Sequence, residues 1–369
     1  MRTSRPSWGS NMKVLHLMVS GRAGGIESLL RDYVNYSRHE NLFLFAWDGG
    51  PMADQIENSG CRVIRMNQPQ EGSRAVCRRI LELCKQERVA AVVVHHEAPL
   101  LRLAALLARH RCPEIRVFCY AHSDARFLCG TGKKVGLAVK KQIFRYTFRR
   151  ADKAVAISNA VKDSLTAYLG VPEEHIAVIY NGAVLSRFHP VERRPAGPLR
   201  LIYVGRLIEE KGVQNTLTAL SRLKDVDYRF TIVGDGDYRK ALETLAKELG
   251  IGDQVDFLGT RSDVPELLAG ADVFIHLPDC AEGFGIAVVE ALASGLICVC
   301  NDRGALPEIV EDGVSGLIVK SGDSVTALLR SLIPGSAQWE RIRRGAVEAA
   351  QKFSIEAFAA KLDDLIEEP

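Results

Sequence analysis

Apolar positions in this chain fall into short unbroken runs, separated by stretches in which apolar residues recur every three to four positions. Runs at 13–19, 42–46, 63–66, 90–94, 116–120, 153–157 and 176–180 read as strands, and most stretches between them as helices. The strands are continuously apolar instead of alternating, as parallel strands covered on both faces are. Between 183 and 199 the pattern lapses, with Pro190, Pro195 and Pro198 close together, and a linker is expected there. Strand–helix alternation resumes with runs at 201–204, 230–233, 255–258, 273–276, 297–300 and 317–319. Residues 336–368 read as helical with a break at Phe353-Ser354. The expected class is therefore α/β, with two doubly wound parallel-sheet domains at 12–183 and 184–352. Ligands of such sheets bind beyond the carboxyl ends of the strands.

A length of 369 residues suits two such domains, and 47% hydrophobic content excludes a disordered chain. The nine cysteines are odd in number, irregularly spaced and free of any CxxC pair, which fits reduced, mostly buried thiols in a cytoplasmic protein. The first eleven residues are polar and carry no secretory signal; the strand-like pattern opens at Met12, where a start would suit it. No apolar stretch has the length of a membrane span.

Three strand–helix loops carry candidate chemistry. Gly205-Arg206 closes one strand and Lys211-Gly212 opens the next helix, so two cations and a helix N-terminus can meet a diphosphate as it gains charge. An Arg and a Lys in a surface turn is the plainer reading of that spacing alone. The loop Glu282-Gly283-Phe284-Gly285 leaves backbone N–H groups open, and Glu290 follows within an apolar helical run where an unpaired carboxylate is costly. There it can accept from both hydroxyls of a ribose. In the first domain, Gly24-Gly25-Ile26-Glu27 lets backbone approach a phosphate, a weak signal by itself.

Together these loops resemble those of the retaining glycosyltransferases of family 4. The resemblance covers nearly the whole chain from Lys13. It is carried by Glu282-Gly-Phe-Gly-Ile-Ala-Val-Val-Glu290 with Ala291-Leu-Ala-Ser-Gly295, and by Val204-Gly-Arg206 with Lys211-Gly212. Further matches are Ile179-Tyr-Asn181-Gly182, Val233-Gly-Asp-Gly236, and Pro307-Glu308 with Gly313 and Gly316. Gly24-Gly25-Ile26-Glu27 and Ala121-His122-Ser123 are most similar to the exopolysaccharide, capsule and lipopolysaccharide branch.

The resemblance implies the GT-B fold, two facing Rossmann-like domains, with residues 353–369 crossing back to the first. It also implies roles. Arg206 and Lys211, with Gly205, would bind the donor diphosphate, and Glu290 the ribose. Glu282 and the backbone of Gly283, Phe284 and Gly285 would hold the sugar hydroxyls. His122 would contact the sugar, Gly24 and Gly25 would approach the phosphates, and Leu258 to Arg261 would edge the base. Transfer would retain anomeric configuration and need neither metal nor cofactor beyond a nucleotide diphosphate sugar, here a UDP-sugar, with a glycan or glycolipid as acceptor. Asp279, Gly304-Ala305 and Arg22 depart from the family pattern, and the first and last of these bear on which sugar is accepted. Two rivals share the features: a nucleotide-sugar 2-epimerase of the same fold, and a nucleotide-sugar-binding regulator without turnover.

Two other patterns read as structural: Asp235-Gly236-Asp237 as a turn, and His95-His96 as a strand end without further metal ligands. The net charge of +3 conceals an asymmetry, because residues 1–185 hold 27 Lys/Arg against 16 Asp/Glu. Lys134, Lys141, Arg145 and Arg149 recur at helical spacing, with Phe144 and Phe148 bordering them and Val135, Val139, Ile143 and Tyr146 on the opposite, core-directed stripe. A basic face with aromatics predicts contact with an anionic inner-membrane surface by a peripheral cytoplasmic protein. No nucleic-acid partner and no obligate protein partner is expected.

Overall fold

The computed structural model describes residues 11–22, 24–129, 134–191, 197–320 and 322–368, without the side chains at 127, 129, 134, 135, 322 and 323. It divides into two compact units, one of residues 1–182 with 355–369 and one of 183–354.

Unit 1 holds β1 (Lys13–Ser20), β2 (Glu40–Asp48), β3 (Arg62–Arg65), β4 (Ala91–Val94), β5 (Arg116–Ala121), β6 (Lys153–Ala156) and β7 (Ile176–Val178). They form one parallel sheet in the order β3-β2-β1-β4-β5-β6-β7. Unit 2 holds β8 (Leu199–Val204), β9 (Tyr228–Val233), β10 (Val255–Gly259), β11 (Val273–His276), β12 (Ile297–Asn301) and β13 (Gly316–Val319), parallel in the order β10-β9-β8-β11-β12-β13. Each apolar run predicted as a strand is one. Val14, Leu15, Leu17 and Met18 of β1 are all buried, so side chains on both faces of the strand lie under helices. Strand order reverses between β1 and β4 and again between β8 and β11, and a crevice opens at such a point in a parallel sheet.

The helix Ile355–Glu367 packs in unit 1 against the helix Gly25–Tyr33. Its buried Asp363 accepts from the Tyr33 hydroxyl (2.7 Å), the Ser37 hydroxyl (3.1 Å) and the Arg38 backbone N–H (2.6 Å). Three donors offset the cost of burying that carboxylate.

The basic helix Lys134–Arg150 corrects the expected orientation. Phe144 and Phe148 are 1% and 2% exposed, whereas Val139 and Tyr146 are 55% and 53% exposed. The two phenylalanines therefore cannot touch a membrane, and Val139 and Tyr146 of the predicted core stripe face outward, with Ile143 half-buried and the side chain of Val135 outside the described residues. Phe144, Thr147, Phe148 and Ala151 make the buried face, at i, i+3, i+4 and i+7. The reason is a buried cation: the Arg102 guanidinium carbon lies 4.7 Å from the Phe144 ring centre and 4.1 Å from that of Phe148. Two phenyl faces shelter a fully buried arginine better than Val139 and Tyr146 would. Arg145 and Arg149 are exposed and Lys141 half-buried, while the side chain of Lys134 lies outside the described residues.

Eight cysteines among the described residues are free thiols, five of them buried.

Candidate functional site

The reversal point of unit 2 brings together Arg206, Lys211 and Glu282 of the predicted residues of that unit. Arg206 follows β8, and Lys211 ends the short turn Glu209–Lys211 that leads into the helix Val213–Ser221. Gly212 joins them in the left-handed region (φ +71°), and a Cβ there would lie 1.8 Å from the carbonyl oxygen of Leu277. Only glycine lets the Lys211 turn lie against the segment after β11. That segment is tied down further. The Asp279 carboxylate accepts from Gln214 Nε2 (2.7 Å) and Asn215 Nδ2 (2.8 Å), and its N–H donates to the Glu210 carbonyl (3.0 Å). Asp279, a departure from the family pattern, thus braces the two loops together.

Glu282 is the centre of the arrangement. Its Oε2 accepts from Lys211 Nζ at 2.7 Å and from His276 Nε2 at 2.8 Å, with the Lys211 and Glu282 side chains 22% and 12% exposed. Its Oε1 accepts from no group among the described residues. Burial, the largest single influence, opposes the charged form. The His276 hydrogen bond and the Lys211 ammonium together outweigh it and hold the carboxyl far below the usual carboxylate range. Arg206 is exposed and meets no carboxylate among the described residues, so its guanidinium is available to an anion. Lys211 is not equally available, because it already serves Glu282.

The other residues of unit 2 divide. Gly285 caps the helix Ile286–Ala293 with φ +108°, and Glu290 is half-buried on its fifth residue. The Phe284 ring packs edge-on to Phe353 at 5.5 Å, leaving only its backbone for a ligand. Leu258 is 40% exposed at the end of β10, and Arg261 forks onto Asp263 at 2.7 and 2.6 Å. Asp235 bonds the Gly236 N–H and pairs with Arg239, as a turn residue does.

Unit 1 holds the remaining predicted residues. Gly24 is the N-cap of the helix Gly25–Tyr33, and a Cβ on it would lie 2.4 Å from Glu27 Oε2, while one on Gly25 would meet nothing. Glu27 also lies 3.2 Å from His96 Nε2, and His96 Nδ1 accepts from the Val19 N–H. Arg22 pairs with Asp48 at the surface. Behind these loops runs a column of rings: His16 on His95, His95 on Tyr120 and Tyr120 on His122, at centre distances of 5.1, 5.0 and 5.1 Å. Asn41 Nδ2 donates to the His39 carbonyl, so its Oδ1 accepts from His16 Nε2 (2.8 Å). His16 Nδ1 must then accept from His95 Nε2 (2.8 Å), and both rings are neutral in fixed tautomers. His122 ends the column with both ring nitrogens buried and without a partner among the described residues. Burial, helped by His96 and Arg102, takes its pKa down to about 3.

Sequence reasoning missed His276, which it placed only as the end of a strand. A histidine on the last residue of a strand beside the reversal point was the available signal.

Residues 23–187 match the family model described as Glycosyltransferase Family 4, and residues 186–346 the one described as Glycosyl transferases group 1. A relative from Salmonella typhimurium, named for colanic acid biosynthesis as glycosyltransferase WcaL, is 32% identical over 61% of this chain and 58% of its own. Its Escherichia coli counterpart is 34% identical over 49% and 47%, so the chain spans only about half the length of these relatives. The D-inositol 3-phosphate glycosyltransferase of Corynebacterium kroppenstedtii is 29% identical over 78% and 70%. Among solved structures, Anabaena HepE in complex with UDP and glucose superposes with a TM-score of 0.83 at 21% identity, over 97% of this chain and all of that one. A Rickettsia africae glycosyltransferase gives 0.82 at 19%, over 97% and 98%. The fold of two parallel-sheet Rossmann-like units is GT-B.

Proposed function

Since the chain carries a family 4 glycosyltransferase domain followed by a group 1 domain, we propose that it transfers a hexose from a UDP-sugar to a cell-surface glycan or lipid-linked acceptor, with retention and without a metal. The observation that carries this reading is the Glu282 carboxylate. One oxygen is fixed by Lys211 and His276 and the other is left to accept from a sugar hydroxyl, with an unpaired Arg206 at the same end of the sheet. The complex of HepE with UDP and glucose supports the choice of donor.

In the reaction, the acceptor oxygen bonds to the anomeric carbon as the bond from that carbon to the β-phosphate oxygen breaks. The electron pair leaves with the diphosphate, and the acceptor proton passes to a phosphate oxygen. Arg206 and the spare donors of Lys211 stabilise the growing charge, and fixed cations do so without reorganising. Glu290 serves the ribose, the backbone at Gly283 and Gly285 the sugar, and Leu258 the base.

A thermal-shift screen of UDP-, GDP- and ADP-sugars, followed by transfer assays, tests the reading. Stabilisation by one nucleotide sugar, with transfer lost in Arg206→Ala and Glu282→Ala, is expected. Full activity in both variants refutes the assignment. Isotope exchange at C2 of UDP-N-acetylglucosamine without an acceptor indicates the epimerase instead.

We further propose that unit 1 meets an anionic lipid surface through the outer face of the helices Pro99–Arg111 and Lys134–Arg150. Exposed Leu103, Leu107 and Tyr146 border one groove with Arg150, and Val139, Arg145 and Arg149 are exposed on the same helix as Tyr146. Apolar side chains among arginines suit a headgroup layer. Among the described residues no helix is long and apolar enough to cross a membrane.

A further inference from the structure

We infer that His276 is a positioning residue that keeps Glu282 oriented toward a donor sugar hydroxyl throughout the binding cycle; this rests on the donor-site reading above. His276 is 5% exposed and is the last residue of β11, so its ring is carried by the sheet and not by a loop. The Tyr203 and Phe274 rings lie 5.9 and 6.4 Å from it, and Cys300 is its partner in register on β12. Nε2 must carry the proton to donate to Glu282 Oε2, and Nδ1 is buried without a partner among the described residues.

Lys211 binds the same oxygen from a flexible stem with three donors, and a diphosphate competes for them. When the ammonium turns toward phosphate, the buried carboxylate would lose its cation and its fixed rotamer. His276 cannot be drawn away. It holds Oε2 in place, so Oε1 remains the atom presented to a ring hydroxyl whether or not the diphosphate is bound. Recognition of the sugar is thereby separated from recognition of the nucleotide.

Glutamine and asparagine at 276 provide the test, because a Gln amide nitrogen falls near the position of Nε2 and an Asn amide nitrogen near that of Nδ1. The nucleotide sugar giving the largest thermal shift among UDP-glucose, UDP-galactose, UDP-N-acetylglucosamine and GDP-mannose is titrated calorimetrically beside its free nucleoside diphosphate. His276→Asn is expected to weaken the nucleotide sugar about tenfold and leave the free diphosphate within about twofold, as for one lost charge-assisted hydrogen bond. His276→Gln is expected to restore most of the loss. Equal affinities in both variants, or equal losses for sugar and free diphosphate, overturn the inference. Wild-type protein that binds none of the four overturns the donor-site reading itself.

Discussion

Gly304 lies against the backbone of Glu282: a Cβ on Gly304 would come within 2.2 Å of the Glu282 carbonyl oxygen and 2.6 Å of its nitrogen. The two form an isolated parallel bridge, and the Glu282 carbonyl accepts from the Ala305 N–H at 2.9 Å. The backbone under the central carboxylate is thus set by a residue without a side chain, at φ +61°. Gly304→Ala is expected to destabilise unit 2 by about 1–3 kcal/mol from backbone strain alone. It should also raise the donor KM more than a Gly313→Ala control, whose Cβ meets nothing. Melting curves and donor kinetics on both variants check this.

Arg206 and Lys211 should separate by their effects on folding. Arg206→Ala removes an exposed, unpaired cation, so the melting temperature should hold while transfer falls about 10²-fold. Lys211→Ala strips a cation from a mostly buried carboxylate and should cost about 2 kcal/mol of stability as well. Chemical denaturation alongside transfer assays distinguishes the two.

Acid should weaken unit 1 through its histidine column. Burial lowers the pKa of His16 to about 4 and that of His122 to about 3, against 6.5 for a free imidazole, and also lowers His95. Depressed values mean that the unfolded chain takes up the protons first. The stabilising contribution is therefore complete above pH 6.5 and declines as pH falls from there through the folded values. At pH 5 His16 and His122 should each cost about 2 kcal/mol, and His95 adds to the loss in the same direction. Denaturation midpoints between pH 7.5 and 5 should fall, less steeply in His16→Gln, and a flat profile would contradict the neutral column.

The reoriented basic helix makes opposite predictions for its two faces. Phe148→Ala should destabilise by about 3–5 kcal/mol, since it empties the ring from beneath buried Arg102. Val139→Ser with Tyr146→Ser should leave the melt unchanged and reduce co-sedimentation with phosphatidylglycerol vesicles. Charge reversal at Arg145 and Arg149 should abolish it. Binding insensitive to all four substitutions would remove the proposed lipid surface.

The strands were legible because a strand covered on both faces must be apolar throughout, and β11, Val273–His276, is found at the residues read from the pattern. Loop chemistry was legible where glycine and charge occur together, as at Arg206, Lys211 and Glu282. What was not legible needed three dimensions. Helical spacing gives two candidate inner faces for Lys134–Arg150, and Arg102, more than thirty residues earlier, decides between them. His276 looked like a strand residue, because its partner lies six positions on, in a loop that folds back over it. The partners of Asp279 were not legible either, because Gln214 and Asn215 stand more than sixty positions earlier.

The clasp on Asp363 has a consequence in time. Tyr33, Ser37 and Arg38 emerge from the ribosome early, and their carboxylate partner follows more than three hundred residues later. Unit 2 is drawn wholly from the intervening segment. During synthesis it can therefore close its core while unit 1 still waits with one helix bare, so of the two units the one begun earlier is the one finished later.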